Sequence, residues 1–250
     1  MDLIALRNLH LRFLNKVVLR GLDLTVRKGE TMVIIGRSGE GKSVTLKCIM
    51  GLLEPSAGKV IFDGQDVFAL GERARERIRQ QIGMLFQGAA LFDSLTVEEN
   101  VSFGLRRLTD YGEHELRNIV RQKLAMVGLK HVEHLKPAEL SGGMKKRVAL
   151  ARAIAMNPGV ILYDEPTTGV DPIMADAINE LIIDMKEKLH VTSIAVTHDM
   201  VSAYKIADRI ALLHEGRIVD VGTPTQIRQS RNPLVHQFIT GSAKGPISII

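Results

Sequence analysis

The feature that most constrains this chain is a glycine-rich segment, residues 36–43, that fits the pattern G-x-x-x-x-G-K-[ST]. It follows Thr31–Ile35, a continuous apolar and β-rich run that is typical of a strand buried on both faces, and residues 44–50 predict a helix after it. In this context the glycines let backbone N–H groups wrap phosphates at the helix N-terminus. Lys42 is expected to reach the β- and γ-phosphates, and the Ser43 hydroxyl to ligand Mg²⁺. The segment, which we call the phosphate loop, therefore predicts an α/β fold that binds a nucleotide.

Length and composition set outer limits on the fold. With 250 residues, of which 45% are hydrophobic, the chain suits one large α/β domain or one core with an inserted subdomain. Its formal net charge is +5, but Lys and Arg are spread along the sequence, so the charge does not indicate nucleic acid binding. The single cysteine, Cys48, excludes an internal disulfide bond and is expected in the core. We find no signal peptide and no apolar run of the roughly 18–20 residues that span a bilayer, so we expect a cytoplasmic protein.

The hydrophobic pattern changes along the chain. Residues 1–30 alternate between apolar and polar and predict antiparallel strands, whereas residues 88–157 have a mainly helical pattern. Buried strands return at residues 160–163 and 193–197, and residues 210–221 predict a hairpin. A helical block therefore interrupts a core that is rich in strands.

These patterns predict one domain with an insertion. The domain is expected to span residues 1–240, with a core of residues 1–87 and 158–222 and a helical subdomain of about residues 88–157. Residues 223–250 are expected to form a helical appendix and a tail.

Two acidic residues, Asp164 and Glu165, complete the strand at residues 160–163. Parallel sheets bind their ligands at the carboxyl ends of strands, so both side chains are expected at the nucleotide. Asp164 fits a contact to Mg²⁺ through water, and Glu165 fits the general base that activates the attacking water. His198, which ends the strand at residues 193–197, is expected at the γ-phosphate.

Gln87 follows a predicted strand at residues 82–86 and opens the helical block. Its side-chain amide suits a contact to Mg²⁺ or to the attacking water. Residues 88–92 are apolar for a loop. Two interpretations stay open: packing beneath the helices, or a docking groove for a partner.

A second glycine-rich turn, Leu-Ser-Gly-Gly-Met at residues 140–144, precedes another predicted helix. We call residues 140–144 the signature turn. One nucleotide needs only one phosphate loop, so a second anion-binding helix start suggests that it serves the nucleotide of another copy. This predicts a dimer that closes on ATP.

The motifs together resemble the ATP-binding cassette (ABC) ATPases, over nearly the whole chain from residue 9 to residue 221. The features that carry the resemblance stand in this order: the phosphate loop, Gln87, the signature turn, Asp164-Glu165, the turn at residues 169–171, and His198. The resemblance implies a P-loop NTPase of the ABC ATPase type, with a mixed sheet core, an antiparallel β subdomain and an inserted α-helical subdomain. It also implies ATP and Mg²⁺ as cofactors.

The resemblance further implies a head-to-tail homodimer with two ATP molecules at its interface. The signature turn of one copy would cap the γ-phosphate that Gly39 and Lys42 of the other copy hold. Asp171 would lie at the dimer seam, and Phe13 stands where the family usually has an aromatic residue that stacks on adenine.

The expected site residues fall into three roles. The catalytic residues are Glu165, His198 and Gln87. The Mg²⁺ ligands are Ser43, Gln87 and Asp164. The nucleotide-binding residues are Phe13, Gly36, Arg37, Ser38, Gly39, Glu40, Gly41, Lys42, Ser43, Val44, Ser141, Gly142, Gly143 and Asp171.

Met144 replaces the Gln that commonly ends the signature turn in the family. With the segments at residues 84–97 and 238–246, it makes the chain similar to Mla-type ATPases. These energise lipid transport together with a membrane permease and an MCE-domain lipid-binding protein. The resemblance therefore implies permease subunits and an MCE-domain protein as partners, and a peripheral position on the cytoplasmic face of the inner membrane.

Two other functions stay open. One is an ABC transporter ATPase for another cargo, such as amino acids or ions. The other is an ABC-type ATPase that acts on nucleic acid or ribosomes. The sequence has neither the long coiled coil of DNA-repair members nor the second cassette of translation-factor members, so we expect no direct contact with nucleic acid.

Overall fold

The computed structural model of the chain describes residues 1–14 and 16–248. The chain divides into two compact units. Unit 1 is Met1–Arg79 together with the chain from Thr192 onward, and unit 2 is Gln80–Val191. The predicted division of the domain at residues 88 and 157 stays a prediction.

Strands and helices alternate along most of the chain. The strands are β1 (Asp2–Phe13), β2 (Lys16–Arg27), β3 (Thr31–Ile35), β4 (Ala57–Phe62), β5 (Gln65–Asp66), β6 (Ile82–Leu85), β7 (Val160–Asp164), β8 (Thr192–Thr197), β9 (Arg209–His214) and β10 (Arg217–Gly222). The helices are α1 (Lys42–Ile49), α2 (Glu72–Gln80), α3 (Val97–Leu108), α4 (Glu113–Met126), α5 (Gly142–Ala153), α6 (Pro172–Leu189), α7 (Met200–Ile206), α8 (Pro224–Arg228) and α9 (Pro233–Thr240). The α/β fold class is confirmed.

Unit 1 contains an antiparallel sheet with the strand order β2-β1-β4-β5. Its alternating sequence places apolar side chains on one face, and Leu9 and Leu22, which oppose each other in the register, are both completely buried. This confirms the antiparallel strands that the alternation in residues 1–30 predicts.

Unit 1 also contains strands of a mixed sheet in the order β10-β9-β3-β8. Strand β3 pairs in parallel with both β8 and β9, while β9 and β10 form the predicted antiparallel hairpin. All residues of β3 and β8 are buried, which explains why their apolar residues stand next to one another and do not alternate with polar ones. In the register Ile35 opposes Thr197, so the phosphate loop and His198 follow directly at neighbouring strand ends.

Unit 2 combines the parallel pair β6 and β7 with helices α3 to α6. Helices α3, α4 and α5 pack on one another, and α5 also packs on β6. Their contacts bury apolar residues spaced three or four positions apart, including Val101 and Leu105 of α3. Helix α3 begins at a capping box in which Thr96 and Glu99 bond each other's backbone N–H groups. The helical character predicted for this part of the chain is confirmed.

Several smaller expectations also have an outcome. Cys48 is completely buried, as predicted, and burial raises the pKa of its thiol to about 12. Helix α1 begins at Lys42, two residues before the predicted start, because the glycine loop itself forms the helix entry. Helix α7 was not predicted; Asp199 caps it by accepting the backbone N–H groups of Val201 and Ser202. Within residues 1–14 and 16–248, no helix has both the length and the apolar character needed to cross a membrane.

Candidate functional site

The phosphate loop of unit 1 curls around the ammonium group of Lys42. Its Nζ donates to the carbonyl oxygens of Gly36 at 2.7 Å and Arg37 at 3.1 Å, and the side chain is 5% exposed. Gly39 and Gly41 take φ values of +85° and +106°, which residues with a Cβ rarely adopt. The glycines at these two positions are therefore required by the backbone conformation of the loop.

The N-terminus of α1 suits an anion. Among the described residues, no side chain caps the helix at Gly41 and no acidic residue stands in its first turn. The partial positive charge of a helix N-terminus and its backbone N–H groups favour a phosphate at such a position. Ser43 and Val44 lie in this first turn, as the sequence pattern predicts.

Three contacts in unit 1 fix the loop, and none of them was predicted from sequence. Glu40 Oε1 lies 3.2 Å from His214 Nδ1, and Glu40 Oε2 accepts the backbone N–H of Glu215. Arg37 donates from Nη1 to the carbonyl oxygen of Ser248 at 2.5 Å. The loop is thus held by the β9–β10 hairpin on one side and by the C-terminal segment on the other.

Phe13 and His198 complete the predicted residues of unit 1. Phe13 ends β1 with 45% of its surface exposed, so its ring is accessible for stacking. His198 is exposed and follows β8, next to the strand end that carries the phosphate loop. Both positions agree with the predicted roles, which stay predictions.

In unit 2, Asp164 and Glu165 lie at the carboxyl end of β7 and are only 6% and 7% exposed. Glu165 has a φ of +46°, in the left-handed region that non-glycine residues rarely occupy. Thr168 holds it twice: its hydroxyl donates to Glu165 Oε2 at 3.2 Å, and its N–H donates to the Glu165 carbonyl at 3.2 Å. The carboxylate therefore has a defined direction.

A buried cation, Lys146, joins two of the predicted residues of unit 2. Its Nζ donates to the carbonyl oxygen of Gln87 and approaches that of Glu165 at 3.4 Å. Burial lowers the pKa of Lys146, while the carboxylates of Asp164 and Glu165 act in the opposite direction. Sequence reasoning missed this residue, because Lys146 stands in a run of basic residues that resembles a solvated helix face.

The signature turn is open on one side. Ser141 caps α5 by accepting the backbone N–H of Met144 at 3.3 Å, and Ser141 and Gly142 are both exposed. A Cβ at Gly142 would meet no atom within 4 Å, whereas one at Gly143 would lie 2.6 Å from the sulfur of Met174. A side chain at position 143 would thus have to displace Met174 within unit 2, whereas one at position 142 would displace nothing.

Asp171 has a structural role of its own. Its Oδ1 accepts the backbone N–H groups of Ile173 at 3.1 Å and Met174 at 3.0 Å, which caps α6. Ile173, beside it, is 84% exposed. The predicted position of Asp171 at a dimer seam stays a prediction beside this observed cap.

The loop after Gln87 has both a packed and an exposed part. Ala89 is buried, and Arg152 donates to the carbonyl oxygens of Ala89 at 2.8 Å and Ala90 at 2.7 Å. Phe92 and Phe103 have ring centroids 4.6 Å apart, and each is 43% exposed. Packing accounts for the first half of the loop and leaves an aromatic surface at the second half, which we call the Phe92–Phe103 surface.

The predicted site residues thus form two groups. Unit 1 gathers the phosphate loop and His198 at adjoining strand ends, and unit 2 links Gln87, Glu165 and the signature helix α5 through Lys146. The approach of the two groups to one nucleotide stays a prediction.

Comparison with known proteins decides the family. A family model described as ABC transporter matches residues 19–168, more than half of the chain. The chain belongs to the ABC transporter family. It is an ATP-binding and ATP-hydrolysing subunit of such a transporter, which confirms the resemblance of its motifs.

Individual relatives cover almost the whole chain. One is the intermembrane phospholipid transport system ATP-binding protein MlaF of Haemophilus influenzae, 42% identical over 98% of this chain and 93% of that protein. Another is the probable ribonucleotide transport ATP-binding protein mkl of Mycobacterium bovis, 40% identical over 91% of this chain and 64% of that protein. The solved ATP-binding cassette MJ0796, a dimer bound to ADP and Pi in a post-hydrolysis state, has a TM-score of 0.81 and 32% identity, and the match covers 88% of this chain and 98% of MJ0796.

Proposed function

We propose that this chain drives a phospholipid transporter, and that it works as a head-to-tail homodimer with two ATP molecules at the interface. The observation that carries the dimer is the exposed signature turn. Ser141 and Gly142 present a helix N-terminus outward, although the chain has already built one phosphate loop. The similarity to a cassette solved as a dimer supports the same arrangement.

Within each proposed site the loop of unit 1 binds the phosphates. Backbone N–H groups of residues 39–43 and the N-terminus of α1 hold the oxygens, and the ammonium group of Lys42 contacts the β- and γ-phosphates. Phe13 stacks on adenine through its exposed ring. Ser141 and Gly142 of the partner copy would complete the coordination of the γ-phosphate.

Hydrolysis is assigned to the residues at the ends of β7 and β8. Glu165 accepts a proton from the attacking water, in a direction that Thr168 fixes, and His198 contacts the γ-phosphate. Ser43, Asp164 and Gln87 offer a hydroxyl, a carboxylate and an amide oxygen, which are the hard ligands that Mg²⁺ takes. When bound, Mg²⁺ would neutralise the charge that develops on the β- and γ-phosphates.

The substitution Glu165→Gln tests this assignment. The amide cannot take the proton, so phosphate release is expected to fall by about 100-fold or more while ATP binding is retained. Glu187→Gln, an exposed residue of α6, is the matched control and is expected to hydrolyse ATP at the parental rate. Normal turnover in Glu165→Gln would show that another group acts as the base.

The proposed cargo rests on the similarity to the phospholipid transport protein and on Met144 in the signature turn. A relative named for ribonucleotide transport is almost equally similar, so transport of another cargo is the second candidate function. Isolation of the assembled transporter distinguishes them. Copurification with an MCE-domain protein and ATPase activity that rises with phospholipid support the proposal. Copurification with a solute-binding protein favours the alternative.

The Phe92–Phe103 surface is the proposed contact with the permease, which would place the chain at the cytoplasmic face of the inner membrane. A tilted aromatic pair that stays exposed suits burial by a partner helix. Phe92→Asp or Leu91→Asp is expected to abolish assembly with the permease and to spare ATPase activity of the isolated chain. Leu52→Asp, at an exposed apolar residue of unit 1, is the control. Unaltered assembly of Phe92→Asp would exclude this surface.

A further inference from the structure

Lys146 is a buried cation on the helix that follows the signature turn. It is 6% exposed, although lysine is almost always solvated in folded proteins. Burial of an ammonium group is costly unless hydrogen bonds and nearby negative charge compensate for the lost water. The position of Lys146 therefore depends on the groups that surround its Nζ.

Those groups are main-chain atoms of residues with proposed roles in hydrolysis. Nζ donates to the carbonyl oxygen of Gln87 and lies 3.4 Å from the carbonyl oxygen of Glu165. An ammonium group has three donors and can serve both carbonyls at once. The carboxylates of Asp164 and Glu165 also favour the charged form of Lys146. A single side chain thus connects α5, the segment that follows β6 and the residue after β7.

Glu165 needs such support because of its backbone. Its φ of +46° is sparsely populated for a residue with a side chain, and such conformations persist where the surroundings hold them. Thr168 contacts the carboxylate and the carbonyl from the following turn. Lys146 approaches the same carbonyl from α5. The direction of the Glu165 carboxylate therefore depends on contacts to its main chain as well as on the bond from the Thr168 hydroxyl.

We propose that Lys146 is a positioning residue for ATP hydrolysis, because its ammonium group holds the backbones of Glu165 and Gln87 to the helix that carries the signature turn. The inference rests on the proposed roles of Glu165 and Gln87. Lys146 itself contacts main-chain carbonyls, so it acts on the rate through the two residues it holds. ATP binding, which the loop of unit 1 provides, does not depend on it.

The experiment compares Lys146→Met, Lys146→Arg and the matched control Lys145→Met in steady-state ATPase assays, with ATP affinity and thermal unfolding measured in parallel. Lys146→Met keeps the chain length and removes the donors. Its kcat is expected to fall by about 10- to 100-fold, the range for loss of a charge-assisted hydrogen bond that acts in the transition state. Its KM and ATP affinity are expected to stay within about twofold of the parent. Lys146→Arg, which can donate to both carbonyls, is expected to recover most of kcat.

A purely structural role gives a different pattern. It would lower the unfolding temperature, ATP affinity and kcat of Lys146→Met together, with no recovery in Lys146→Arg, and that result would overturn the inference. A kcat of Lys146→Met within about twofold of the parent would overturn it as well. If Lys146→Met does not fold, Lys146→Gln keeps an amide donor and is expected to show an intermediate kcat with an unchanged KM; a parental kcat there would overturn the inference.

Glu165→Gln separates this inference from the function on which it rests. If Lys146 acts through Glu165, adding Lys146→Met to Glu165→Gln should lower the residual rate no further. Normal turnover in Glu165→Gln refutes the proposed base and the inference with it. An inactive Glu165→Gln beside a fully active Lys146→Met refutes the inference alone.

Discussion

The phosphate loop and the signature turn both place glycines at the start of a helix, but the chain uses them for different purposes. In the loop, Gly39 and Gly41 take positive φ values and wrap the chain around a lysine that is 5% exposed. In the signature turn, Gly142 and Gly143 are the first residues of α5 and have no positive φ. The phosphate loop thus encloses a side chain of its own chain, whereas the signature turn has an exposed face.

This difference shows what glycine contributes at each position. In the loop it permits a backbone conformation, so the phosphate site is shaped within one chain. In the signature turn Gly143 makes room for Met174, while Gly142 faces open space within its own chain. A residue without a side chain at an exposed helix start fits the close approach of a phosphate that another copy holds.

The largest expected effect comes from removing the lysine of the phosphate loop. Lys42→Met takes away the cation that the loop surrounds, and ATP affinity is expected to fall about 100-fold because charge-assisted bonds to two phosphates are lost. Titration with a fluorescent ATP analogue measures the affinity. Lys47→Met, at an exposed position near the end of α1, is the control and is expected to bind ATP normally. ATP affinity unchanged in Lys42→Met would mean that the loop is not the nucleotide site.

A smaller and more selective effect is expected at the signature turn. Gly142→Ala adds a Cβ that meets no atom of its own chain, so the free energy of unfolding should not fall. ATPase activity is nevertheless expected to drop by about 10-fold, because the methyl group would separate the helix start from the partner's phosphate. Chemical denaturation and phosphate release measure the two quantities.

Gly143→Ala is the matched comparison for Gly142→Ala. Its Cβ would lie 2.6 Å from Met174 Sδ, so unfolding is expected to become easier by about 1–3 kcal/mol, as for other overpacked positions. If Gly142→Ala loses stability and Gly143→Ala does not, the two glycines have the opposite roles to those inferred from the structure.

The smallest expected effect concerns the adenine. Phe13→Ala removes an exposed ring, and ATP affinity is expected to fall about fivefold, in line with about 1 kcal/mol for an aromatic stack. GTP affinity is expected to fall by a similar factor, since stacking does not depend on the identity of the base. Leu14→Ala, at a 92% exposed neighbour, is the control. An affinity equal to that of the parent would remove Phe13 from the site.

The sequence was sufficient to predict the parts of the fold that depend on residues close together in the chain. Buried strands such as β3 and β8 contain consecutive apolar residues and no alternation, and the phosphate loop has a pattern that few other structures require. Helix α7 was missed because the helix is short and its cap, Asp199, is separated from the end of β8 by His198 alone. The exposure of Phe92 and the burial of Ala89, three residues apart in one apolar loop, also needed the tertiary structure.

Sequence patterns could not predict contacts between residues that are far apart in the chain. Lys146 and its neighbours Lys145 and Arg147 have the same basic character, yet only Lys146 has its ammonium group against the carbonyls of Gln87 and Glu165. The bond between Glu40 and His214 likewise joins segments that are far apart in the chain. The burial of such side chains and their hydrogen-bond partners depend on tertiary packing, which sequence patterns do not predict.

The most direct test of the proposed homodimer is the molar mass of Glu165→Gln in solution, measured by light scattering with and without ATP. If ATP closes the proposed homodimer, this variant has the mass of one chain without nucleotide and of two chains with ATP and Mg²⁺. Adding Gly142→Arg, which places a large side chain at the open face of the signature turn, is predicted to restore the mass of one chain while ATP stays bound. If Glu165→Gln binds ATP and retains the mass of one chain, ATP does not close a homodimer and the proposed arrangement is wrong.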